Sequence, residues 1–345
     1  MISRLIISPS GNYYGSEQVL HDYLSITEFK SEVLVPTGGI LFETLKINTL
    51  SHKITGFNPK RLYATYIWVA FQLLIGKYNA IYFNEAGHVK YVLLLSKIFR
   101  KVKFTIHVRI LEDTQATRWP KNIPDNVTVI SVSQYIKDQI AVKSLLLYDL
   151  YKFNNNLSNS NTYDSNSPLR IAIVGRVTAS KGLWNLIEVI RGLESDGMQN
   201  DYIFSLFGDV STAPSDYDLI SLLRTIKNVR FEGFEQDKSI LYQKTDCVLH
   251  CSTQEALGRI FIESIDYQKP FIGFRKAGIE EIGVLVGLEK LLVQFDDFNA
   301  VAQIIDAFIS VKSNYSTYVN RVAIAKEKAR SVFCAARYSS IIDRL

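Results

Sequence analysis

The stretch IAIVGRVTASKGLWNLIEVI, residues 171–190, begins as an apolar run, passes through Gly175 and continues with apolar residues at helical spacing. The first part is typical of a buried strand, and residues 183–193 have the period of an amphipathic helix. A strand followed directly by a helix is half of the β-α-β unit from which parallel sheets are built. The segment therefore predicts an α/β fold.

The same rhythm occurs on both sides of this segment. Before it, helical patterns such as 15–29 and 62–75 alternate with the short apolar runs RLIIS, SEVLVP, AIYFN, KFTIHV and VTVISV. After it, the runs are YIFSLFG, VRFEGF, DCVLHC and PFIGF. The 345 residues, 47% of them hydrophobic, are enough for two cores. The pattern predicts two successive doubly wound α/β domains.

The boundary between the domains is predicted from composition. Residues 153–168 are rich in Asn and Ser and have no hydrophobic period, which is typical of a linker. The expected division is an N-terminal domain over 1–152, the linker over 153–168 and a C-terminal domain over 169–329. In sheets of this kind ligands bind beyond the carboxyl ends of the strands, so site residues are expected in the loops that follow them.

The net charge of +5 is concentrated in the first half, where residues 1–165 hold 18 Lys and Arg against 12 Asp and Glu. One basic patch, interleaved with apolar residues, consists of Lys90, Lys97, Arg100, Lys101 and Lys103. Such a helix could lie on an anionic membrane, or it could pack on the core with a solvated lysine end. No nucleic-acid-binding motif accompanies the charge, so no nucleic-acid partner is expected.

Several other classes of protein are disfavoured. Three sparse cysteines do not suggest a disulfide framework, and the N-terminal run reads as a strand rather than a signal peptide. The longest apolar stretch, 62–76, is shorter than a membrane span. The sequence Asp216-Tyr217-Asp218 resembles a metal-binding pair, but its position favours a helix start. No metal and no tightly bound cofactor are expected.

The turn at 175–182 predicts an anion site. Gly175 permits close approach of a ligand, and Arg176 and Lys181 flank the start of a helix. Helix N-termini and cations both favour a diphosphate. The alternative is a glycine turn with two solvated cations.

A second candidate segment is EALGRIFIE, residues 255–263. Ser252 and Thr253 are expected to cap the following helix, which places Glu255 in the loop after a strand and Glu263 about two turns into the helix. Two carboxylates with exposed amide groups between them suit a molecule that has hydroxyls at both ends and phosphates in the middle. A nucleotide sugar is such a molecule.

Several of these motifs together resemble the retaining glycosyltransferases of family 4. They occur in the order GR-x4-KG (175–182), FGD (207–209), VRFEGF (229–234) and E-x7-E (255–263), followed by KP (269–270). A weaker likeness in the first half covers GNYYGSEQVL, FTIHV and VISVSQYIKDQI. The resemblance implies the GT-B fold, in which two facing Rossmann-like domains enclose a cleft and a C-terminal helix, here about 330–345, completes the first domain.

The resemblance also implies catalytic roles. Arg176 and Lys181 would hold the diphosphate and compensate the charge of the leaving group, and Glu255 would contact the donor sugar. His107 would lie near the reacting sugar, although a buried core histidine is the alternative.

Further residues would bind the donor. Glu263 would bind the ribose hydroxyls, and the stretch around Gly233 and Phe234 would border the base. Gly15 would approach the phosphates or the acceptor. Gly175 and the backbone amides around Ala256, Leu257 and Gly258 would meet the phosphates, and Arg259 is a further candidate. For Arg259, contact with a donor oxygen and pairing with a nearby carboxylate both remain open. Three features depart from the family pattern: Tyr14 replaces a glycine in the acceptor loop, Arg259 occupies a position where an apolar residue is expected, and the usual Asn-Gly turn before the linker is missing.

The function implied is a retaining transfer from a nucleotide-diphosphate sugar to a saccharide or lipid-linked saccharide acceptor during synthesis of a cell-surface polysaccharide. The expected location is the cytoplasm, at the inner face of the membrane if the basic first half binds it. Two alternatives share the fold: a nucleotide-sugar epimerase and a non-catalytic sugar-binding scaffold.

Overall fold

The computed structural model describes residues 3–48, 51–155, 163–295 and 299–344. The chain divides into two compact units, the first formed by Met1–Lys152 with Phe333–Leu345 and the second by Phe153–Val332. Part of the predicted linker, residues 156–162, lies outside the described residues.

Along the described residues most strands are followed by an α-helix. The strands are β1 (Arg4–Ile7), β2 (Ser31–Pro36), β3 (Lys53–Phe57), β4 (Ala80–Phe83), β5 (Lys103–Val108), β6 (Val127–Ser131), β7 (Leu145–Leu146), β8 (Leu169–Val174), β9 (Tyr202–Phe207), β10 (Val229–Gly233), β11 (Cys247–His250) and β12 (Phe271–Gly273). The α-helices are α1 (Gly15–Leu24), α2 (Ile40–Asn48), α3 (Leu62–Leu74), α4 (Val89–Ile98), α5 (Gln134–Gln139), α6 (Leu183–Ser195), α7 (Tyr217–Thr225), α8 (Lys238–Gln243), α9 (Arg259–Asp266), α10 (Ala277–Val286), α11 (Ala300–Ser313), α12 (Tyr315–Val332) and α13 (Ala335–Ile342).

The first unit contains a parallel sheet in the order β3-β2-β1-β4-β5-β6-β7. The chain moves outward from β1 in one direction to β3, then crosses back to β4 and moves outward in the other direction. The switch point lies between β1 and β4, where Ile7 is in register with Phe83. Ligand crevices of doubly wound sheets lie at such points.

The second unit repeats this topology with the order β10-β9-β8-β11-β12, again all parallel. Its switch point lies between β8 and β11. The apolar period recognised at 183–193 is the inner face of α6, where Leu186, Ile187 and Ile190 are buried against the sheet core. The prediction of two parallel α/β domains is therefore confirmed.

The C-terminal residues return to the first unit, but they do so after a break. The helix expected over about 330–345 is interrupted near its start, because α12 ends at Val332 and α13 begins at Ala335. Phe333 lies in the break and is buried, and its carbonyl accepts the amide of Tyr151. Tyr338 and Ile342 of α13 pack in the core cluster shared with α1 and α2.

Within the described ranges, none of the helices has the length and apolar character needed to cross a membrane.

Candidate functional site

The loops that follow β8 and β11 converge at the switch point of the second unit. Gly182 ends the β8 loop in the left-handed conformation, with a φ of 79°. A Cβ atom at this position would lie 2.1 Å from the carbonyl oxygen of Cys251, at the start of the β11 loop. The Asn185 side chain also donates to that oxygen at 3.0 Å. The glycine is thus what allows the two loops to touch.

The loop after β8 is held by hydrogen bonds to Asp216 and has open space at Gly175. Asp216 accepts hydrogen bonds from the Thr178 hydroxyl at 2.8 Å and from the Ala179 amide at 3.0 Å. Hydrogen bonds hold the pKa of Asp216 below its usual range, and the bond from the Ser211 side chain contributes most to this shift. Asp216 therefore fixes the conformation of this loop. At the start of the loop, Gly175 has open space where a side chain would stand.

Lys181 and Glu255 meet across the two loops. Their side chains form an ion pair, and His250 Nε2 lies 3.6 Å from Glu255 Oε1. Burial would raise the pKa of Glu255, but His250 and Lys181 outweigh it and the pKa is lowered. Glu255 is therefore an anion at neutral pH. Burial lowers the pKa of His250, which favours the neutral ring there.

Helix α9 starts later than expected. Gly258, not Ser252 or Thr253, is its N-terminal cap, with a φ of 83° and a neighbour, Ile279 Cδ1, only 2.3 Å from where a Cβ would stand. Ser252 instead accepts the amide of Gln254 at 3.3 Å. The expectation for the cap was wrong: residues 251–258 form a loop after β11, and α9 begins only at Arg259, after the positive φ of Gly258.

Consequently Glu263 lies one turn into α9 rather than two. Its buried carboxylate pairs with Lys238, the first residue of α8. Lys238 was not among the candidates predicted from the sequence. The signal for it was weak, because one lysine after the Asp237 cap resembles any basic residue at a helix start.

The predicted loop residues between the carboxylates are held firmly. The Glu255 carbonyl accepts the Gly278 amide at 2.9 Å, and Leu257 is buried against Gly278. Ala256 and Arg259 are half-buried at the start of α9, whose first turn leaves amides without intrahelical partners.

The carboxyl end of β10 lies at the same end of the sheet as the loops after β8 and β11. Gly233 has a φ of 76° with open space around its Cα, and its carbonyl accepts the Gly208 amide at 2.8 Å. Phe234, which follows it, is exposed. The structure therefore brings the candidates of the second unit to the carboxyl end of its sheet. They are Gly175, Arg176, Lys181, Gly233, Phe234, Glu255, Ala256, Leu257, Gly258, Arg259 and Glu263.

His107 lies in the interior of the first unit, on β5, and is fully buried. Its Nδ1 atom is 2.9 Å from the Tyr82 hydroxyl and accepts from Arg109 at 3.1 Å. Arg109 also pairs with Asp149 and donates to Tyr338 at 2.8 Å. Burial, aided by Arg109, holds the pKa of His107 well below its usual range, so the ring is neutral. The placement matches the core-histidine alternative, and the predicted catalytic role is not tested by it.

The switch point of the first unit holds a polar cluster that includes one predicted residue. Gly15 begins α1, and the hydroxyl of the next residue, Ser16, donates to both Glu17 (3.1 Å) and Glu85. Asn84 donates to the Ser16 carbonyl at 3.1 Å. Burial, with the neighbouring Glu17 carboxylate, raises the pKa of Glu85 to about 7. Glu85 was not among the candidates predicted from the sequence, because a single glutamate after the strand AIYFN has no distinctive pattern.

Comparison with known proteins is consistent with this architecture. Residues 158–328 match the family model of glycosyl transferases group 1. A search of curated protein sequences found no match.

Solved structures match over the whole chain at low identity. The Anabaena protein Alr3699/HepE, in its complex with UDP-glucose, is 19% identical with a TM-score of 0.80 over 100% of this chain and 99% of its own. A glycosyltransferase from Rickettsia africae is 18% identical with a TM-score of 0.71, covering 99% and 97%. Sucrose-phosphate synthase from Thermosynechococcus elongatus is 14% identical with a TM-score of 0.68, covering 99% and 98%. The whole chain therefore has the fold of these structures, and most of its second unit matches the family of glycosyl transferases group 1.

Proposed function

We propose that the protein is a retaining glycosyltransferase of family 4, which transfers a sugar from a nucleoside-diphosphate sugar to a saccharide or lipid-linked saccharide during cell-surface polysaccharide synthesis. The observation that carries this proposal is the Lys181–Glu255 ion pair at the switch point of the second unit, beside the exposed Arg176. A cation and a carboxylate at the same crevice suit a donor that presents phosphates and sugar hydroxyls.

In the proposed reaction the bond between the anomeric carbon and the diphosphate breaks while positive charge develops on the sugar. The oxygen of the acceptor hydroxyl bonds to the same face of that carbon, and the hydroxyl proton goes to the departing diphosphate. Arg176 and Lys181 bind the diphosphate and stabilise the negative charge that it gains. Glu255 accepts hydroxyl groups of the donor sugar, and Glu263 accepts those of the ribose. Once phosphates bind Lys181, its pairing with Glu255 weakens, which releases the carboxylate for the sugar.

The carboxylates are not proposed as the acid and nucleophile of a glycosidase. Glu255 is ionised and paired with a cation, whereas a general acid needs a raised pKa. Retention follows from the family and has its own test. The anomeric configuration of the product, read from the coupling constant of its anomeric proton, should equal that of the donor.

The first experiment is a thermal-shift series with UDP, GDP, ADP, dTDP and CMP. UDP is the first nucleotide to test because the Anabaena structure contains UDP-glucose. We expect one diphosphate to raise the melting temperature of the protein, since a ligand that binds only the folded state stabilises it. Lys181→Ala should lower the affinity for that nucleotide about tenfold or more, because a charged hydrogen bond is lost.

Lys227→Ala is the matched control. Lys227 is an exposed lysine two residues before β10, at the opposite end of the sheet strands, and its removal should leave the nucleotide shift unchanged. If no nucleotide raises the melting temperature, the proposal of a nucleotide-sugar enzyme fails and a scaffold role gains weight.

We also propose that the enzyme works in the cytoplasm at the inner face of the membrane, where lipid-linked acceptors are found. The basic excess of residues 1–165 supports this part of the proposal.

A further inference from the structure

Helix α3 presents an apolar outer face. Its thirteen residues, LYATYIWVAFQLL, include no charged side chain. Tyr66, Val69 and Leu73 are buried, but Tyr63 (78% exposed), Ile67 (71%), Phe71 (56%) and Leu74 (75%) lie open. These four recur at the spacing of one helix face. A surface helix of a soluble protein normally carries polar residues there.

Helix α4 extends this surface. Tyr66 of α3 stacks on Tyr91 of α4 with ring centroids 4.3 Å apart, so the two helices lie side by side. Leu94 and Ile98 follow Tyr91 at one and two turns and are both exposed. We use the name "α3–α4 face" for the set Tyr63, Ile67, Phe71, Leu74, Leu94 and Ile98. Grouped apolar exposure of this kind marks an interaction surface.

Basic residues surround the α3–α4 face. Lys60 and Arg61 precede α3, and Lys90, Lys97 and Lys101 lie on or just after α4; all five are exposed. In the part of the chain that the structure describes, none of the five has a carboxylate within 4.0 Å. Cations around an apolar helix face complement the acyl chains and phosphates of an anionic membrane.

A cavity opens at the start of α4. Its volume is about 460 Å³, and His88, Lys90, Gln115, Thr117 and Arg118 contribute to its walls. His88 Nδ1 lies 2.8 Å from the Tyr66 hydroxyl, whose pKa is raised by burial. Because the tyrosine keeps its proton, it can donate to Nδ1, which leaves the ring proton on Nε2 as a donor. The wall thus contains the exposed cation Lys90 and a histidine N–H donor for an anionic headgroup beside the apolar surface, whereas the charge of Arg118 is paired with Asp113.

We propose that the α3–α4 face is a docking surface that lies in the interfacial layer of an anionic lipid membrane. With about 1.5 Å per residue, α3 is about 20 Å long, which is enough to lie in the interface and too short to cross a bilayer. The face differs from the basic patch predicted from sequence, because most of the apolar residues of α4 are buried in the core, whereas α3 contributes four exposed apolar side chains. The inference deepens the proposed function and rests on it in one respect: it states where a lipid-linked acceptor is met.

Vesicle flotation tests the proposal. The purified protein should float with vesicles of phosphatidylcholine and phosphatidylglycerol, and less with phosphatidylcholine alone. Ile67→Glu combined with Phe71→Glu should reduce flotation about tenfold or more, because two charges replace inserted apolar groups. Lys97→Ala combined with Lys101→Ala should reduce only the part that depends on phosphatidylglycerol.

The matched control is Ile40→Glu combined with Ile47→Glu on α2. Both residues are exposed, and α2 packs its Leu41 and Leu45 in the cluster shared with α1 and α13. This control should float like the unaltered protein. Far-UV circular dichroism and the nucleotide thermal shift verify that every variant is folded.

Three results would overturn the docking proposal: no flotation of the unaltered protein, equal flotation of the Ile67/Phe71 variant, or light scattering that shows a dimer which this variant separates into monomers. The last would assign the face to a second copy of the chain. Flotation without any nucleotide shift would instead count against the proposed transferase function and leave the docking surface standing.

Discussion

Glu85 follows β4 and shares the Ser16 hydroxyl with Glu17. Its pKa of about 7, raised by burial and by Glu17, means that the folded protein holds a proton which the unfolded chain releases near pH 4.5. Between these two pKa values the folded state binds more protons, so this carboxyl makes stability fall as pH rises from about 4.5 to about 7. Above pH 7 the loss is complete.

Glu85→Gln should therefore stabilise the first unit at pH 8 by about 1–3 kcal/mol and leave its stability near pH 4.5 unchanged. The neutral amide oxygen still accepts from Ser16. Urea unfolding at pH 4.5, 6 and 8 measures the difference. A pH-independent difference between Glu85→Gln and the unaltered protein would contradict the assignment.

The positions of the candidate site residues in the second unit could be predicted from the sequence, because these residues follow the strands in a fixed order of motifs. Arg176, Lys181 and Glu255 lie where the motif spacing predicted them, at the end of one sheet. Lys238 and Glu85 were not readable in this way. A single lysine or glutamate after a strand has no distinctive pattern, and its role depends on partners far along the chain.

At the scale of the element, α6 illustrates how a glycine sets the approach of two loops. Glycines at both of its ends have left-handed backbone, Gly182 with a φ of 79° and Gly197 with a φ of 73°. A Cβ at Gly182 would collide with the Cys251 carbonyl at 2.1 Å, whereas at Gly197 it would meet nothing within 4 Å.

Gly197→Ala should cost about 1 kcal/mol, which is the strain of a left-handed alanine alone. Gly182→Ala should cost clearly more, about 2–4 kcal/mol, because the Lys181 and Glu255 loops must also separate. It should also weaken nucleotide binding, which Gly197→Ala should not. Chemical denaturation and nucleotide titration of the two variants measure this. Equal losses of stability would show that the loop contact is unimportant.

Helix periods were predicted well and helix starts less well. The period of α6 follows from burial on one side, which the apolar spacing records, whereas α3 is apolar on its exposed side as well. The start of α9 at Arg259 depends on Gly258 adopting a positive φ beneath Ile279, a contact with a residue of α10. Local capping preference for Ser252 and Thr253 could not indicate this.

At the scale of the whole molecule, the chain completes its first unit with its last residues. Helix α13 places Tyr338 and Ile342 in the core of that unit, and Asp343 Oδ1 accepts from Arg4 at 3.1 Å and from Thr27 at 3.1 Å. The second unit, Phe153–Val332, ends before α13 begins. The stability of the first unit therefore depends on residues synthesised after the second.

Removal of residues 333–345 should destabilise one unit selectively. It uncovers the apolar cluster around Tyr23 and leaves the buried Arg109 without the Tyr338 hydroxyl. In hydrogen-deuterium exchange, peptides from β1, β4 and β5 should lose protection, while peptides from β8, β9 and β11 should exchange as in the full chain. Tyr338→Phe, which keeps the ring and removes the hydroxyl, is the milder control. It should affect chiefly β4 and β5, because the Tyr338 hydroxyl bonds to Tyr82 in β4 and to Arg109 directly after β5. Loss of protection spread evenly over both units would mean that they unfold as one, and the division of the chain into two cores would then have no counterpart in its stability.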